Sequence, residues 1–121
     1  MFKETLERLI ARTEGATGAL IMGTDGIAVE RVMLDEARDK NLDVAAAEFT
    51  SLLRGARRVG DDTGIGQLQE LIVGCADLKV LMRSLSRDYF AVLALTEGGN
   101  LGRGRFELRK AELDLAREFA V

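Results

Sequence analysis

The chain has 121 residues, of which 47% are hydrophobic and 31% are charged, and its formal net charge is −3. These values fit one soluble globular domain spanning residues 1–121, and the acidic balance argues against nucleic acid as the main partner, because that binding depends on a basic surface. The absence of histidine excludes imidazole-dependent triads and His-ligated zinc, and the single Cys75 excludes an internal disulfide.

We expect no targeting signal at the N-terminus. Residues 1–8 contain two glutamates and lack the apolar run of a secretion signal. The longest apolar run, Tyr89–Leu95, is far shorter than the roughly 20 residues that a membrane helix needs. These features predict a cytoplasmic protein that does not insert into membranes.

A helix followed by a β-hairpin is predicted at the start of the chain. Apolar residues recur at helical spacing from Phe2, and Gly15 stops the pattern, so the helix is predicted over residues 2–14. Asp25-Gly26 then separates two apolar runs, which favours a tight hairpin. The predicted strands are Ala19–Gly23 and Ile27–Met33, and the polar stretch Asp35–Lys40 is predicted to be a loop.

The second helix has the clearest pattern in the chain. Asn41 or Asp43 is suited to cap its N-terminus, and Gly60, Gly64 and Gly66, around Asp61-Asp62, are predicted to end it in a flexible turn. Its opposite face carries the small residues Ala47, Ser51 and Gly55 at every fourth position, which would let another backbone approach closely. The alternative is a chance arrangement, since alanine and serine are common on protein surfaces. Its apolar residues are predicted to face the core, and they are Leu42, Ala45, Ala46, Phe49, Leu52, Leu53, Ala56 and Val59.

Three strand-like runs and a final helix complete the chain. The runs are Gln67–Cys75, Leu78–Leu85 and Tyr89–Thr96. Their connections are too short for parallel crossovers, so we predict an antiparallel meander, followed by a helix over Arg103–Val121. The predicted order is α-β-β-α-β-β-β-α, an α+β fold.

Residue character predicts which strands are central. Tyr89–Leu95 is apolar on both faces, as a strand covered by helices on both sides requires, whereas Ile27–Met33 and the third strand have the polar character of edges. The third strand has neither lysine nor proline to discourage pairing. We therefore predict a two-fold dimer, with an interface made of Ala47, Ser51, Gly55, Gln67, Leu68, Gln69, Glu70, Leu71, Ile72 and Val73.

Arg54, Arg57 and Arg58 cluster near the predicted end of the second helix. Positive charge there complements the helix dipole, which is a sufficient structural explanation. The alternative is that these arginines, with Glu48 beside them, form a docking patch for an acidic partner surface. Both interpretations remain open at this stage.

No segment predicts catalysis, a metal or a cofactor. Gly99–Arg105 follows a strand as a phosphate loop would, but Arg105 and Phe106 stand where the lysine and the hydroxyl residue of that motif belong. Cys75 is predicted to be a small buried residue at a strand end.

In the order and spacing of these segments the chain resembles the Roadblock/LC7 family, which includes the bacterial MglB-type proteins. The resemblance rests on Gly18–Met22 with Asp25-Gly26, the alanine-rich helix from Leu42, Tyr89–Leu95, and the closing segment with Asn100-Leu101-Gly102 and Arg105. It implies a five-stranded antiparallel sheet of order 2-1-5-4-3, with the second helix on one face and the terminal helices on the other.

The resemblance also implies a function. Family members pair through the third strand and the second helix, have no catalytic residues of their own, and in bacteria regulate small Ras-like GTPases of the MglA type. The expectation is therefore a cytoplasmic, non-enzymatic homodimeric adaptor that binds and regulates such a GTPase, as an activating or a localising partner. The alternative is a scaffold subunit of a larger assembly that does not contact a GTPase.

Overall fold

The computed structural model describes residues 2–34 and 41–119, and the predicted loop Asp35–Lys40 lies outside this part of the chain. The helices and strands follow each other in the predicted order. They are α1 (Phe2–Ala11), β1 (Ala16–Gly23), β2 (Ala28–Met33), α2 (Leu42–Thr63), β3 (Glu70–Gly74), β4 (Leu78–Ser84), β5 (Tyr89–Thr96) and α3 (Leu101–Phe119).

The strands form one antiparallel sheet in the order β2-β1-β5-β4-β3, as the family resemblance implied. The two central strands, β1 and β5, are almost entirely buried. The two strands predicted to be edges, β2 and β3, are the edges of the sheet. The assignment of central and edge strands from residue character is therefore confirmed.

The core has two layers because successive side chains of a strand point to opposite faces. Phe90, Val92 and Ala94 of β5 pack under α2. The intervening residues Ala91, Leu93 and Leu95 pack under α1 and α3. A strand buried on both faces needs a continuous apolar run, and this accounts for the sequence of β5.

The second helix ends within the predicted glycine-rich segment, at the second of its three glycines. It continues through Gly60 to Thr63 and ends at Gly64, whose φ of 75° is the left-handed conformation that glycine adopts at helix C-termini. Gly60 serves close packing instead, because a Cβ there would overlap the carbonyl oxygen of Gly66 in the following loop. Of the glycines predicted to end the helix, Gly64 does so, whereas Gly60 lies inside it.

The two glycines inside α2 provide a matched test of this packing. We expect Gly60→Ala to destabilise the fold by about 1–3 kcal/mol, because the added methyl group overpacks a closed contact. Gly55 has open space around its Cβ position, so Gly55→Ala should stabilise the helix by about 0.5–1 kcal/mol. Chemical denaturation of both variants, at a protein concentration where the chain is monomeric, measures the difference, and equal effects would contradict this role for Gly60.

Three other expectations are corrected. The third strand begins at Glu70 rather than Gln67, so Gln67, Leu68 and Gln69 belong to the connection after α2. Cys75 is exposed rather than buried, in the turn between β3 and β4. The final helix begins at Leu101, two residues before the predicted start.

None of the helices in residues 2–34 and 41–119 combines the length and the apolar character that crossing a membrane demands.

Candidate protein interface

The outer edge of β3 presents unpaired backbone groups. Gln69 accepts a hydrogen bond from the N–H of Ser84, and Cys75 donates one to Leu78, so residues 69 and 75 point towards β4. Backbone groups alternate in direction along a strand. The N–H and C=O groups of Glu70, Ile72 and Gly74 therefore point away from the sheet, where a further strand would bind them.

The side chains of β3 give this edge an apolar surface on both faces. Leu71 and Val73 lie on the α2 side, against the core layer under that helix. Ile72 lies on the α3 side, opposite Leu81, and is 38% exposed. Edge strands are usually protected from pairing by charged side chains or proline. Because β3 has an apolar edge without such protection, it favours pairing with another chain.

One flank of α2 continues this apolar surface above the sheet. Ala45, Phe49, Leu52, Ala56 and Val59 follow one another at spacings of four and three residues, which places them along one side of the helix. The position of Phe49 shows which way this flank faces, because Phe49 lies beside residues of β4 in the core layer under α2. The flank therefore faces the open β3 edge.

Leu52 and Val59 correct the sequence interpretation. Both were predicted to face the core, but they are 54% and 55% exposed. An apolar side chain at core spacing is exposed when the neighbouring element that would cover it is missing. Within residues 2–34 and 41–119, nothing covers the core layer under α2 at the β3 edge.

The opposite flank of α2 faces β2. Asp43 forms an ion pair with Arg31 of β2, and Arg54 donates a hydrogen bond to the carbonyl of Thr24 at 2.6 Å. Half-buried Ala47 also lies here, close to Gly26 of the hairpin turn. Ala47 is therefore on the side of α2 that is remote from β3, whereas Ser51 and Gly55 lie nearer the outward face.

The three arginines of α2 have different environments. Arg54 binds Thr24, and Arg57 donates to the carbonyl of Arg87 at 2.7 Å, so the two attach the β1–β2 and β4–β5 turns to α2. Arg58 is exposed, as is Glu48 on the same outward face. The helix continues beyond all three with Asp61 and Asp62, so the explanation by the helix C-terminal dipole is wrong.

A network of ion pairs connects the first residue of β3 to α3. The sequence analysis did not predict this network. Arg83 of β4 contacts Glu112 at 2.5 Å and Glu70 at 3.2 Å, and Arg105 contacts Glu70 at 2.6 Å. The contacting residues are 13 to 35 positions apart in the chain, so no local sequence pattern indicates the network. It holds the open edge strand in place from the α3 side.

The glycine-rich segment Gly99–Arg105 has a structural explanation. The side chain of Asn100 accepts a hydrogen bond from the N–H of Arg103 and caps α3. Gly104 lies against Leu81, Leu93 and Leu95, where its lack of a side chain lets α3 approach the sheet. These contacts give Asn100 and Gly104 structural roles in starting and seating α3.

A five-stranded antiparallel sheet between helical layers, with a bare edge strand and an uncovered helix flank beside it, defines an α+β domain suited to binding other polypeptides. The chain belongs to the Roadblock/LC7 family, whose model matches residues 2–95. This confirms the resemblance that the sequence suggested. Comparison with the curated proteins gave no significant match.

Solved structures show the same fold. MglC from Myxococcus xanthus is 35% identical, with a TM-score of 0.69 and coverage of 97% of this chain and 98% of that chain. The gliding protein MglB from Thermus thermophilus is 22% identical, with a TM-score of 0.83 and coverage of 95% and 85%. An MglB with a tetrameric arrangement is 23% identical, with a TM-score of 0.85 and coverage of 98% and 89%. The likeness to the two MglB structures concerns the fold alone.

Proposed function

We propose that this protein is a cytoplasmic, non-enzymatic homodimeric adaptor that binds and regulates a small Ras-like GTPase of the MglA type. Residues 1–121 act as one domain in this proposal, because α3, beyond the family match, packs on the same core as α1. Membership of the Roadblock/LC7 family and the fold shared with MglB support the choice of partner class. The partner class is thus assigned by analogy with proteins of the same fold.

The open core layer at the β3 edge is the observation that carries the dimer. A second copy that adds its own β3 would satisfy the outward backbone groups and cover Leu52 and Val59 with the same flank of its α2. The tetrameric MglB structure supports self-association in proteins of this fold. In the proposed interface the two β3 strands pair along a seam formed by Glu70, Leu71, Ile72 and Val73. The seam is extended by Gln67, Leu68 and Gln69. Above it lie Ser51 and Gly55 of α2. Ala47, on the β2 flank, is the most distant member of the interface.

The proposed GTPase platform is the outward face of the paired α2 helices. Glu48 and Arg58 are exposed there, and a two-fold dimer presents each of them twice on one side of the sheet. Arg54 and Arg57 border this face, and each uses part of its guanidinium to bind a turn carbonyl. They contribute remaining donors and positive charge to the platform.

The test is to mix the purified protein with the small GTPases encoded near it, loaded with GDP or with a non-hydrolysable GTP analogue. Complex formation by size exclusion and the rate of GTP hydrolysis are the readouts. Arg58→Glu should weaken binding at least tenfold, whereas Arg117→Glu, exposed on α3 at the other face of the sheet, is the matched control. Absence of binding in both nucleotide states would remove the GTPase from the proposal.

A scaffold subunit without GTPase contact is the second candidate. It is favoured by apolar surface away from the α2 face, since Phe106 and Leu113 of α3 are exposed and β2 is a second open edge. Affinity capture from the source cells distinguishes the two functions. Recovery of structural proteins in place of GTPases would support the scaffold.

A further inference from the structure

An apolar groove of about 360 Å³ lies between the N-terminal half of α2 and the β3–β4 turn. Its walls include Leu42, Ala45 and Phe49 on one side and Cys75, Leu78 and Val80 on the other. It is on the α2 side of the sheet, at the end where β3 terminates and beside the open edge.

An exposed isoleucine lies at the opposite end of the same edge. Ile65, in the connection between α2 and β3, is 81% exposed. It stands between Gly64 and Gly66, which both have positive φ angles and a backbone conformation that other residues rarely adopt. No side chain in the described part of the chain covers it, and such an apolar residue on a constrained loop is suited to enter a groove elsewhere.

The outward backbone groups limit how two β3 strands pair around a two-fold axis. Within β3, the residues whose backbone N–H and C=O groups point to a partner are Glu70, Ile72 and Gly74. The hydrogen-bonded pairs between two β3 strands must therefore come from this set. A register centred on Ile72 uses all of them, as Glu70 with Gly74, Ile72 with Ile72, and Gly74 with Glu70. Registers centred on Leu71 or Val73 leave Gly74 or Glu70, respectively, outside these pairs.

Side chains favour the same register. With Ile72 on the axis, the two copies of Ile72 face each other on the α3 side, and Leu71 faces Val73 of the other copy on the α2 side. Glu70 lies opposite Gly74, whose Cβ position has open space around it. A shift to a centre at Leu71 would place Ile72 opposite Glu70, an apolar residue against a carboxylate that Arg83 and Arg105 hold in place.

We propose that the groove receives Ile65 of a second copy of this chain. The inference rests on the dimer of the proposed function. In the register centred on Ile72, Ala76 lies opposite Leu68 of the second copy, so the loop that carries the partner's Ile65 reaches the end of the sheet where this groove lies. The loop and the groove are on the same side of the sheet, since Leu68 and Phe49 belong to the same core layer. Two-fold symmetry fills both grooves reciprocally.

The affinity of the dimer tests the occupant. Ile65→Ala should raise the dimer dissociation constant by about tenfold per groove, hence about a hundredfold for two, because each isoleucine loses most of its apolar burial. Ile27→Ala is the matched control, since Ile27 is 66% exposed next to the other edge strand. Sedimentation equilibrium of both variants measures the constants. A dimer that Ile65→Ala weakens no more than Ile27→Ala does overturns the proposal and leaves the proposed function standing.

Native Cys75 tests the register. In the proposed pairing, residue 69 faces Cys75 of the other copy as a non-hydrogen-bonded pair, with Cα atoms about 4.5 Å apart, within the range of a disulfide. Under oxidised glutathione, which takes up the two electrons and two protons released by the thiols, Gln69→Cys should cross-link rapidly to Cys75. Gln67→Cys and the unchanged chain should not.

The outcomes separate the inference from the function on which it rests. A dimer that cross-links through Gln67→Cys but not Gln69→Cys has its axis at Leu71 and overturns the register. A dimer that cross-links in neither variant overturns it too. A chain that sediments only as a monomer at micromolar concentration overturns both the inference and the proposed homodimer.

Discussion

Ile72→Pro is expected to leave a folded monomer that no longer dimerises. The N–H of Ile72 points to the open edge, so proline removes no hydrogen bond between β3 and β4. In the dimer the same substitution removes one seam hydrogen bond from each copy and places two rings on the axis. We expect the dissociation constant to rise by about two to three orders of magnitude, and sedimentation velocity with far-UV circular dichroism measures both properties.

The other edge strand supplies the control for this substitution. The N–H of Arg31 in β2 also points outward, since it donates to its neighbour Glu30 rather than to β1. Arg31→Pro therefore has a similar local backbone cost and also loses the exposed ion pair with Asp43, which is worth about 1 kcal/mol or less. It should remain a dimer. A dimer formed by Ile72→Pro, or a monomeric Arg31→Pro, would contradict the proposal that the chains pair through β3.

Arg83→Leu is expected to have the largest effect on the stability of the monomer. Arg83 is largely buried and contacts the carboxylates of Glu70 and Glu112. Removing its charge leaves these two acids without their common partner. Breaking a fully buried ion pair costs about 3–5 kcal/mol, and because both carboxylates keep some contact with solvent we expect a loss of about 2–3 kcal/mol.

The measurement is urea denaturation of Arg83→Leu in an Ile72→Pro background, because dimerisation would otherwise add to the apparent stability. Arg105→Leu is the control, since Arg105 contacts one carboxylate of the network, that of Glu70, and is itself exposed. It should cost about 1 kcal/mol or less, as exposed ion pairs do. Equal losses in the two variants would show that Arg83 is not the centre of the network.

Local patterns in the chain were sufficient for the sequence of helices and strands and for the choice of central and edge strands. The two-sided apolar run of β5, the hairpin glycine at Gly26 and the short connections after residue 74 each depend on neighbours in sequence. Their combination left few arrangements, and the resemblance to the Roadblock/LC7 family selected the order that the structure has. Strand order and layering were therefore predictable before any contact was known.

The candidate interface was less predictable. Leu52 and Val59 have the spacing of core residues, and periodicity alone does not reveal whether a covering element is present. Arg54 and Arg57 were identified as a charged cluster, but their bonds to turn carbonyls depend on where two distant loops fold. The network around Arg83 joins β3, β4 and α3, and no local sequence pattern indicated it.

The amino-acid sequence by itself determined the secondary structure, the two central strands and the open character of the third strand, because propensity and hydrophobic alternation act between near neighbours. Only the tertiary structure decided which flank of α2 faces that strand, which backbone groups are available there, and that the core layer ends in exposed leucine and valine side chains. These properties arise from packing between segments that are far apart in the chain, and no local pattern encodes them.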